Sequence, residues 1–519
     1  MKRLLAIFGV MVVLTLISLL LGKVQASAEQ TAGAVKLTAD QMSGIELRNI
    51  GPAYKPGRVG DIAVDPRDSK VWYVATASSN LWKTTDGGVT WTTPFDQGGS
   101  YSLGCVTVDQ KNPDTVWLGT GENQSQRSVG FGDGVYKSTD AGKTWKHMGL
   151  DKSEHIARFQ IDPRNSDVVY VAAQGPLWAP GGDRGLYKTT DGGKTWKAIL
   201  TFSENTGVTD IIMDPRNADV LYAASYQRRR NNGVLIGGGP EAGVFKSTDA
   251  GATWTKLTKG LPTVDMGRIA LGISPQQPNV VYALIYTAGN QSGFYRSADA
   301  GATWVKGAGY KVTDPQYYGE IYPDPHKFDR IIIVDVGMQM TEDGGKTVKG
   351  AGWKGMHSDN HAVWFNPKDP KHILVGNDGG LYESKNGGSS FKGFNNMPTT
   401  QYYRVATDNS LPFYRVGGGT QDNGSHAGPS RTKSSGGITN KDWKSIGGGD
   451  GFQARFDPEN PSIYYSMSQG MAISRQGKSI RPAGGGKGGA KGGGGGAIRG
   501  NWDVPYIISP HSSQRLYLG

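Results

Sequence analysis

The chain of 519 residues contains a single cysteine, Cys105, so no intramolecular disulfide can form. The 3.6-residue apolar periodicity of amphipathic helices is also missing, which argues against a helical fold. The net charge of +11 is not gathered into a basic stripe, so the composition makes no case for nucleic-acid binding. Stability therefore has to come from packed strands and from closure of the architecture that they build. Cys105 is predicted to be a core residue.

Glycine, by contrast, is abundant at 78 residues, and many glycines belong to a phrase that occurs seven times. The first copy is Thr84-Thr85-Asp86-Gly87-Gly88-Val89-Thr90-Trp91, and the last runs from Ser384 to Phe391. The copies are 43 to 58 residues apart and centre on Asp86, Asp140, Asp191, Asp249, Asp299, Asp343 and Asn386. A period of this length is typical of propeller blades.

The phrase has the chemistry of a tight turn between two strands. Its Ser, Thr and Asp side chains accept hydrogen bonds from turn amides, and its glycines adopt a positive φ at little cost. The tryptophan that closes most copies is large enough to fill the gap between successive sheets. We therefore predict that the six box aspartates are structural residues.

A second repeat indicates where the strands begin. Each unit starts with an apolar strand that ends in an Asp-Pro-like turn before another apolar strand, which is a hairpin signal. Ten such turns stand at Asp65, Asp109, Asp162, Asp214, Ser274, Asp324, Asn366, Asp408, Asp457 and Ser509. Together with seven boxes, they predict an all-β protein: a seven-bladed β-propeller over residues 45–398, followed by the start of a second, incomplete propeller over residues 399–519. The segment from Ile45 to Gly51 is predicted to be the outer strand that closes the ring.

Three segments fall outside this pattern. Lys2 and Arg3, the apolar run from Leu4 to Leu21 and the small residues after it predict a signal peptide over residues 1–28 and a linker over residues 29–44. Retention of the apolar run as a membrane anchor is the alternative. Residues 482–500 are rich in glycine and contain no acid, which predicts a flexible loop. The mature chain is expected to be secreted, periplasmic or on the cell surface, without membrane insertion.

Upstream of the innermost strands the sequence turns polar, and these residues are predicted to surround the mouth of the central channel, where long loops also gather. The predicted ligand-binding residues are Arg58, Glu154, His155, Arg268, Tyr317, His357, Asp359 and His361. Mutually paired or solvated channel residues are the structural alternative. His357, Asp359 and His361 alternate along a predicted strand, so they are also weak candidates for a transition-metal site. Spacing reveals no further ligand, and neither a metal nor another cofactor is predicted.

The repeated phrase resembles the Asp box, or bacterial neuraminidase repeat. From Leu47 onward the chain is similar to exported bacterial neuraminidase-repeat proteins of the sortilin-type or glycosyl-hydrolase-like family. Besides the boxes, the phrases that carry this similarity include Asn49 to Pro52, Gly119 to Asn123, Tyr226 to Arg230, His357 to His361, Gly376 to Leu381 and Gly419 to Asn423. The resemblance implies tandem propellers, so a further C-terminal propeller is expected in the full-length protein. It implies little about activity, because the hydrolase label of the family rests largely on the shared repeats.

Two function classes compete. The first is a non-catalytic module that binds an extracellular peptide, glycan or partner protein at the channel mouth, as the resemblance to sortilin-type propellers implies for peptides. The second is a glycoside hydrolase with paired carboxylates near the channel mouth or in a cleft between propellers. The carboxylate candidates are Glu154, Asp210, Asp265, Glu320 and Asp359.

The hydrolase class has two weaknesses in this sequence. The Arg-Ile-Pro phrase that a sialidase would carry in its first blade is replaced by Arg58-Val59-Gly60. A xyloglucanase-like enzyme places its aspartates between two complete propellers, and only one complete ring is predicted here. The sequence therefore favours binding over hydrolysis. An accessory role in assembly or secretion is the third alternative.

Overall fold

The computed structural model describes Met42, Gly44, residues 47–482, Ile498 and residues 500–519. The predicted signal peptide, most of the predicted linker and most of the glycine-rich segment lie outside the described residues. The chain divides into two compact units, Met1–Ile50 and Gly51–Gly519. In the described part of the second unit, helical structure is limited to two short 3₁₀ turns, Asn440–Asp442 and Gln469–Met471. Among the described residues, no helix has the length and apolar character needed to cross a membrane.

Ten antiparallel sheets follow one another along the chain, each starting near one of the ten predicted turns. Sheet one contains β1 (Val59–Val64), β2 (Trp72–Thr76) and β3 (Leu81–Thr84). Sheet two contains β4 (Leu103–Val108), β5 (Val116–Thr120), β6 (Val135–Ser138) and β7 (Lys146–His147). Sheet three contains β8 (Ile156–Ile161), β9 (Val169–Gln174), β10 (Arg184–Thr189) and β11 (Lys197–Leu200). Sheet four contains β12 (Thr206–Asp214), β13 (Asn217–Arg230), β14 (Leu235–Gly237), β15 (Gly243–Ser247) and β16 (Thr255–Leu257).

The next three sheets repeat the four-stranded pattern. Sheet five contains β17 (Met266–Ile273), β18 (Val281–Thr287), β19 (Gly293–Ser297) and β20 (Val305–Lys306). Sheet six contains β21 (Ile321–Pro323), β22 (Ile331–Ile333), β23 (Gln339–Thr341) and β24 (Lys349–Gly350). Sheet seven contains β25 (Asn360–Phe365), β26 (Ile373–Asn377), β27 (Gly380–Ser384) and β28 (Lys392–Gly393).

Three more sheets complete the described chain. Sheet eight contains β29 (Tyr402–Thr407), β30 (Arg415–Thr420), β31 (Gly424–Pro429) and β32 (Lys444–Gly447). Sheet nine contains β33 (Gln453–Phe456), β34 (Tyr464–Ser468), β35 (Ala472–Arg475) and β36 (Lys478–Ser479). Sheet ten contains only β37 (Tyr506–Ser509) and β38 (Ser512–Leu518). The prediction of an all-β protein is confirmed.

The hydrophobic cores lie between consecutive sheets. Separate apolar clusters join sheet one to two, two to three, three to four, four to five, five to six and six to seven. A seventh cluster joins sheet seven back to sheet one, with Leu374 and Phe394 packed among Val59, Trp72 and Trp82. Cys105 is buried in the cluster between sheets two and three, as predicted. The packing of the first seven sheets is therefore cyclic.

Each box forms the turn between the last two strands of its sheet, except in sheet one, where it connects β3 to the bridge residue Thr92. In sheet three, Asp191 accepts hydrogen bonds from the Thr195 amide at 3.0 Å and the Thr195 hydroxyl at 2.7 Å. Trp196 at the end of this box packs in the core shared with sheet two, as its size predicts. The second box glycine, Gly193, has φ +93°, and a Cβ placed there would lie 2.6 Å from the Trp117 ring. Glycine is required at this position because of both the backbone conformation and the close approach of the neighbouring sheet.

The predicted closing strand from Ile45 to Gly51 is wrong in its described part. Leu47 to Ile50 lie in no strand. Sheet one instead uses Thr92, directly after its own box, which exchanges two 2.8 Å backbone hydrogen bonds with Lys83. The local hairpin that the first box creates already supplies the outer pairing, so a distant segment is not needed for it.

Candidate functional site

Arg58, the residue before β1, lies at the centre of the channel mouth. Its guanidinium is 3% exposed and forms ion pairs with Glu122 at 2.6 Å and with Asp378 at 2.7 Å. Arg58 also donates to the Tyr317 hydroxyl, which donates in turn to Asp378 at 2.6 Å. A buried charge is costly unless it is paired and hydrogen-bonded. The convergence of sheets one, two and seven on Arg58 satisfies that requirement.

His361, the second residue of β25, belongs to the same network. Its Nε2 donates to Asp378 at 2.7 Å, and Gln124 Nε2 lies 3.1 Å from its Nδ1. Burial by itself would raise the pKa of Asp378, but the charge of Arg58 and the contact with His361 hold that pKa well below its usual range. Asp378 is thus a fixed anion at the channel mouth.

A second ionic cluster lines the channel and contains two of the predicted catalytic carboxylates. Arg158 lies 3.1 Å from Asp210 and 3.1 Å from Glu320, and Arg268 lies 3.3 Å from Glu320. Asn123 donates a further hydrogen bond to Glu320 at 2.9 Å. Burial raises the pKa of Asp210 and the charge of Arg158 opposes this effect. Both carboxylates form ion pairs with arginines. This arrangement fits the alternative interpretation, in which the polar channel residues pair with one another and not with a ligand.

The side chains of the channel leave almost no free space. The remaining cavity has a volume of about 20 Å³ and is bordered by Arg58, Gln124, Arg268, Tyr317, Glu320 and His361. Such a volume holds about one water molecule. A peptide or a sugar ring does not fit there, because the residues predicted to face a ligand face one another instead.

The three-residue metal site proposed from alternation does not form. Strand β25 begins only at Asn360, and Asp359 has a positive φ of 65°, so the alternation breaks before His357. His357 Nδ1 contacts the main-chain oxygen of its neighbour Ser358, whereas His361 faces Asp378. In the described part of the chain, no group of three His, Cys, Asp or Glu residues is arranged to hold a metal ion.

The other predicted residues are dispersed. His155 is buried and contacts the main-chain oxygen of Glu122 at 2.9 Å. Glu154 lies near Arg184 and Arg228, and burial raises its pKa. Asp265 is exposed and directly precedes β17. None of these three side chains joins the cluster around Arg58. The structure therefore brings together only part of the residues predicted to surround the channel mouth.

A larger cleft of about 710 Å³ opens next to the channel mouth. One side is formed by residues that precede sheet eight and the other by residues of sheets eight to ten or their connections. The first group includes Gln126, Arg127, Asp314, Tyr317, Tyr318, Asp359 and Asp378; the second includes Tyr403, Gln421, Asp422, Asp450, Phe452, Trp502 and Asp503. We call this space the carboxylate cleft. Asp359 is the sequence-predicted catalytic candidate that lines it.

Asp422 is the central carboxyl of the cleft. It lies in the turn between β30 and β31 with a positive φ of 60°, and its amide donates to Asp450 at 2.8 Å. Asp378 and Asp450 line the cleft beside it. Burial raises the pKa of Asp422, and the two neighbouring carboxylates raise it further, to about 10. A raised pKa favours the protonated form of the carboxyl, which is the form that a general acid needs.

Aromatic side chains surround these carboxyls. Trp502 is 63% exposed and Tyr403 is 36% exposed, and the Tyr403 ring lies 5.0 Å from that of Phe452. Tyr318 donates a hydrogen bond to Asp359, which also accepts one from Ser358. A concave site with aromatic walls and a few convergent polar groups is the usual form of a small-molecule or sugar site.

Sequence reasoning missed Asp378, Asp422 and Asp450. Each lies in a glycine-rich stretch, Gly376 to Gly380, Gly418 to Ser425 and Gly447 to Phe452, of a kind that reads as a turn or a junction between rings. The available signal was a carboxylate that recurs in such a turn within three residues of the end of a strand. Their convergence depends on the packing of sheet eight against the channel mouth, which a local pattern does not contain.

Comparisons with known proteins find similarity to a sortilin family model and to xyloglucanases. A family model described as Sortilin-Vps10, "Sortilin, neurotensin receptor 3", matches residues 133–290. A xyloglucanase of Acetivibrio thermocellus is 27% identical over 231 residues, which cover 39% of this chain and 26% of the relative. A xyloglucanase of Hypocrea jecorina is 31% identical over 227 residues, with the same two shares. The match thus spans about a quarter of the length of these curated relatives.

The solved structures agree on the fold. A GH74 xyloglucanase from Xanthomonas campestris superimposes with a TM-score of 0.54 at 13% identity, covering 82% of this chain and 73% of that chain. At this identity the likeness establishes a β-propeller fold and nothing further. The family-model match supports a propeller of the neuraminidase-repeat kind, as the sequence resemblance implied.

The expectation of a non-catalytic ligand binder at the channel mouth is wrong. The relatives found by sequence are xyloglucanases, which are enzymes, so the findings point to the hydrolase alternative. The physical reason lies in the two cavities. The channel is filled by its own ion pairs, whereas the carboxylate cleft is open and contains a carboxyl with a raised pKa.

Proposed function

We propose that this chain is a glycoside hydrolase whose active site is the carboxylate cleft. The observation that carries the proposal is Asp422, a carboxyl with a raised pKa inside an aromatic-walled cleft of 710 Å³. Glycoside hydrolases use one carboxyl with a raised pKa as the acid and a second carboxylate as base or nucleophile.

Asp422 takes the role of general acid in this proposal. As the glycosidic bond breaks, its proton passes to the leaving oxygen and the sugar ring acquires oxocarbenium character. The positive φ of Asp422 and the 2.8 Å bond from its amide to Asp450 hold the carboxyl in one orientation. A strained backbone of this kind is found preferentially at functional sites.

Asp359 is our candidate for the second carboxylate. It lines the same cleft, has the same left-handed backbone at φ 65°, and is held by hydrogen bonds from Tyr318 and Ser358. In an inverting reaction it removes a proton from the attacking water; in a retaining reaction it attacks the anomeric carbon itself. The anomeric configuration of the first product distinguishes the two.

The proposed substrate is a neutral β-glucan chain of the xyloglucan class. This choice comes from the xyloglucanase relatives and is supported by the walls of the cleft, where Trp502 and Tyr403 offer apolar faces to sugar rings. The glycan is thus the proposed partner, and the predicted export segment puts the reaction outside the cytoplasm.

The same proposal includes the architecture that forms the cleft. We infer that residues up to about 398 make one seven-bladed propeller and that sheets eight to ten begin a second. The cyclic packing of the seven cores supports the first part, and the contribution of sheets eight to ten to only one side of the cleft supports the second.

The test is hydrolysis of xyloglucan, measured as release of reducing ends by the purified chain. Asp422→Asn should lower kcat by at least about 100-fold, because general acid catalysis contributes about that much or more. Asp265→Asn is the matched control, since it changes an exposed carboxylate outside the cleft. Asp359→Asn should also lose activity and regain part of it with azide. The proposal fails if the wild-type chain cleaves neither xyloglucan nor other β-glucans, or if Asp422→Asn remains fully active.

A further inference from the structure

An open groove of about 520 Å³ lies between the hairpin of β13 and β14 and the loop that follows β9. We call this space the arginine groove. It is lined by Trp178, Arg229, Arg230, Asn231, Asn232, Val234 and Ile236. None of these seven residues is acidic, whereas six aspartates line the carboxylate cleft. The groove and the cleft therefore differ in the sign of their charge.

Three consecutive arginines at the end of β13 have two different roles. Side chains alternate between the two faces of a strand, so Arg228 and Arg230 share a face. Both are buried, at 0% and 5% exposed. Arg228 Nη1 donates to the main-chain oxygen of Gln124 at 2.6 Å, and Arg230 Nε donates to that of Ser125 at 2.9 Å. These two arginines attach the hairpin to the loop after β5, whereas Arg229 points to the other face.

Arg229 has no competing partner in the part of the chain that the structure describes. It is partly exposed and lies opposite Ile236 in the hairpin, and its guanidinium forms neither an ion pair nor a hydrogen bond with a described residue. The five N–H donors of a guanidinium match the two oxygens of a carboxylate. The groove thus contains an available site for a carboxylate.

Trp178 adds a flat apolar surface to this charge. Its ring is 44% exposed. The loop that carries it is fixed to the hairpin, because the Arg230 amide donates to the Leu177 oxygen at 2.8 Å. Asn231 and Asn232 are exposed at the turn of the hairpin and provide amide groups beside the ring. An aromatic face packs on a sugar ring, and side-chain amides both donate to and accept from hydroxyls.

We propose that the arginine groove binds an acidic glycan, a chain that contains uronic acid residues. Trp178 packs on a sugar ring, Arg229 pairs with its carboxylate, and the two asparagines bond its hydroxyls. An acidic peptide would use the charge of the groove but has no sugar ring for Trp178 and no hydroxyl pattern for the amides. The site is separate from the carboxylate cleft, and the inference does not depend on hydrolysis there.

The test is calorimetric titration of the purified chain with oligosaccharides of galacturonic acid. Methyl-esterified oligosaccharides of the same length are the uncharged counterpart. The acidic form should bind at least about tenfold more tightly, because a hydrogen bond to a charged group contributes about that factor. Arg229→Gln should abolish this preference, and Trp178→Ala should weaken the binding of both forms by about fivefold. Arg431→Gln is the matched control, since it changes an exposed arginine outside the groove.

The outcomes also separate this site from the proposed active site. Asp422→Asn should bind the acidic oligosaccharides as the wild type does. The inference is overturned if the wild type binds neither form, binds both equally, or keeps its preference in Arg229→Gln. A glutamate peptide of equal charge that binds as tightly also overturns it, because recognition would then need no sugar ring. Circular dichroism checks the fold of each variant. If Trp178→Ala does not fold, the loss of preference in Arg229→Gln decides alone.

Discussion

At the residue scale, the aspartate of each box and the hydroxyl two positions before it differ in their access to solvent. The Asp191 side chain is partly exposed and its acceptor bonds to Thr195 lie at the surface. Thr189, by contrast, is 1% exposed; its Oγ1 donates to Asp191 at 2.7 Å and accepts from the buried Gly193 amide at 2.9 Å. An unmade hydrogen bond costs most where the donor has no access to water. The hydroxyl is therefore the member of the box that stability depends on most.

This reasoning predicts the effect of Thr189→Val, which keeps the shape and removes the hydroxyl. The Gly193 amide loses its acceptor, so the stability of the ring should fall by about 1 to 3 kcal/mol. Thr195→Val is the control from the same box, with its hydroxyl at the surface, and should change stability far less. Thermal melts followed by circular dichroism make the comparison. Equal melting temperatures for both variants would contradict the assignment.

At the element scale, a recurring clasp joins sheets one, three and four to the box of the next sheet. A tyrosine of the second strand and a lysine of the third donate to the same main-chain oxygen: Tyr73 and Lys83 to Ala141, Tyr170 and Lys188 to Ala250, and Tyr222 and Lys246 to Ala300. Each lysine also lies over the ring of its tyrosine, at 5.0 to 5.4 Å. Between sheets seven and one the lysine is replaced by Glu383, and an open groove of about 720 Å³ lies there. The closing junction is thus built differently from these three.

The clasp between sheets three and four gives the element-scale prediction. Lys188→Met keeps the apolar stem and removes the 2.8 Å hydrogen bond to Ala250 and the contact with the Tyr170 ring. A hydrogen bond from a charged donor and a cation–π contact are together worth about 1 to 3 kcal/mol, and the apparent melting temperature should fall accordingly. Lys197→Met on the exposed β11 is the matched control. If the two variants melt together, the lysine contributes nothing to the junction.

At the scale of the whole molecule, the fold was far more predictable than the site. The box phrase and the Asp-Pro-like turns are local signals, because a turn needs particular residues wherever it occurs, and they gave the all-β class and all ten sheets. The same signals predicted Arg58, Tyr317 and His361 as members of one cluster, and the structure brings these three together on Asp378.

The rest of the site depends on long-range packing. Asp378, Asp422 and Asp450 lie in separate glycine-rich turns, and their meeting requires sheet eight to sit beside the channel mouth. The metal interpretation of His357, Asp359 and His361 failed for a related reason, since a positive φ at Asp359 interrupts the alternation that it assumed. Turn conformations and the docking of distant sheets are not encoded in strand periodicity.

The last prediction concerns a chain that stops after residue 400. Among the described residues, no hydrophobic cluster has members on both sides of this point: the cluster between sheets seven and one ends at Met397, and those of the later sheets begin at Ala406. The seven cyclic cores therefore remain complete, and the shortened chain should fold as a β protein. It should bind no xyloglucan oligosaccharide, because Asp422, Asp450 and Trp502 are removed from the cleft. The 519-residue chain with Asp422→Asn, measured by calorimetry beside it, should retain binding while losing hydrolysis. A shortened chain that still binds and cleaves the glycan would show that the carboxylate cleft is not the active site.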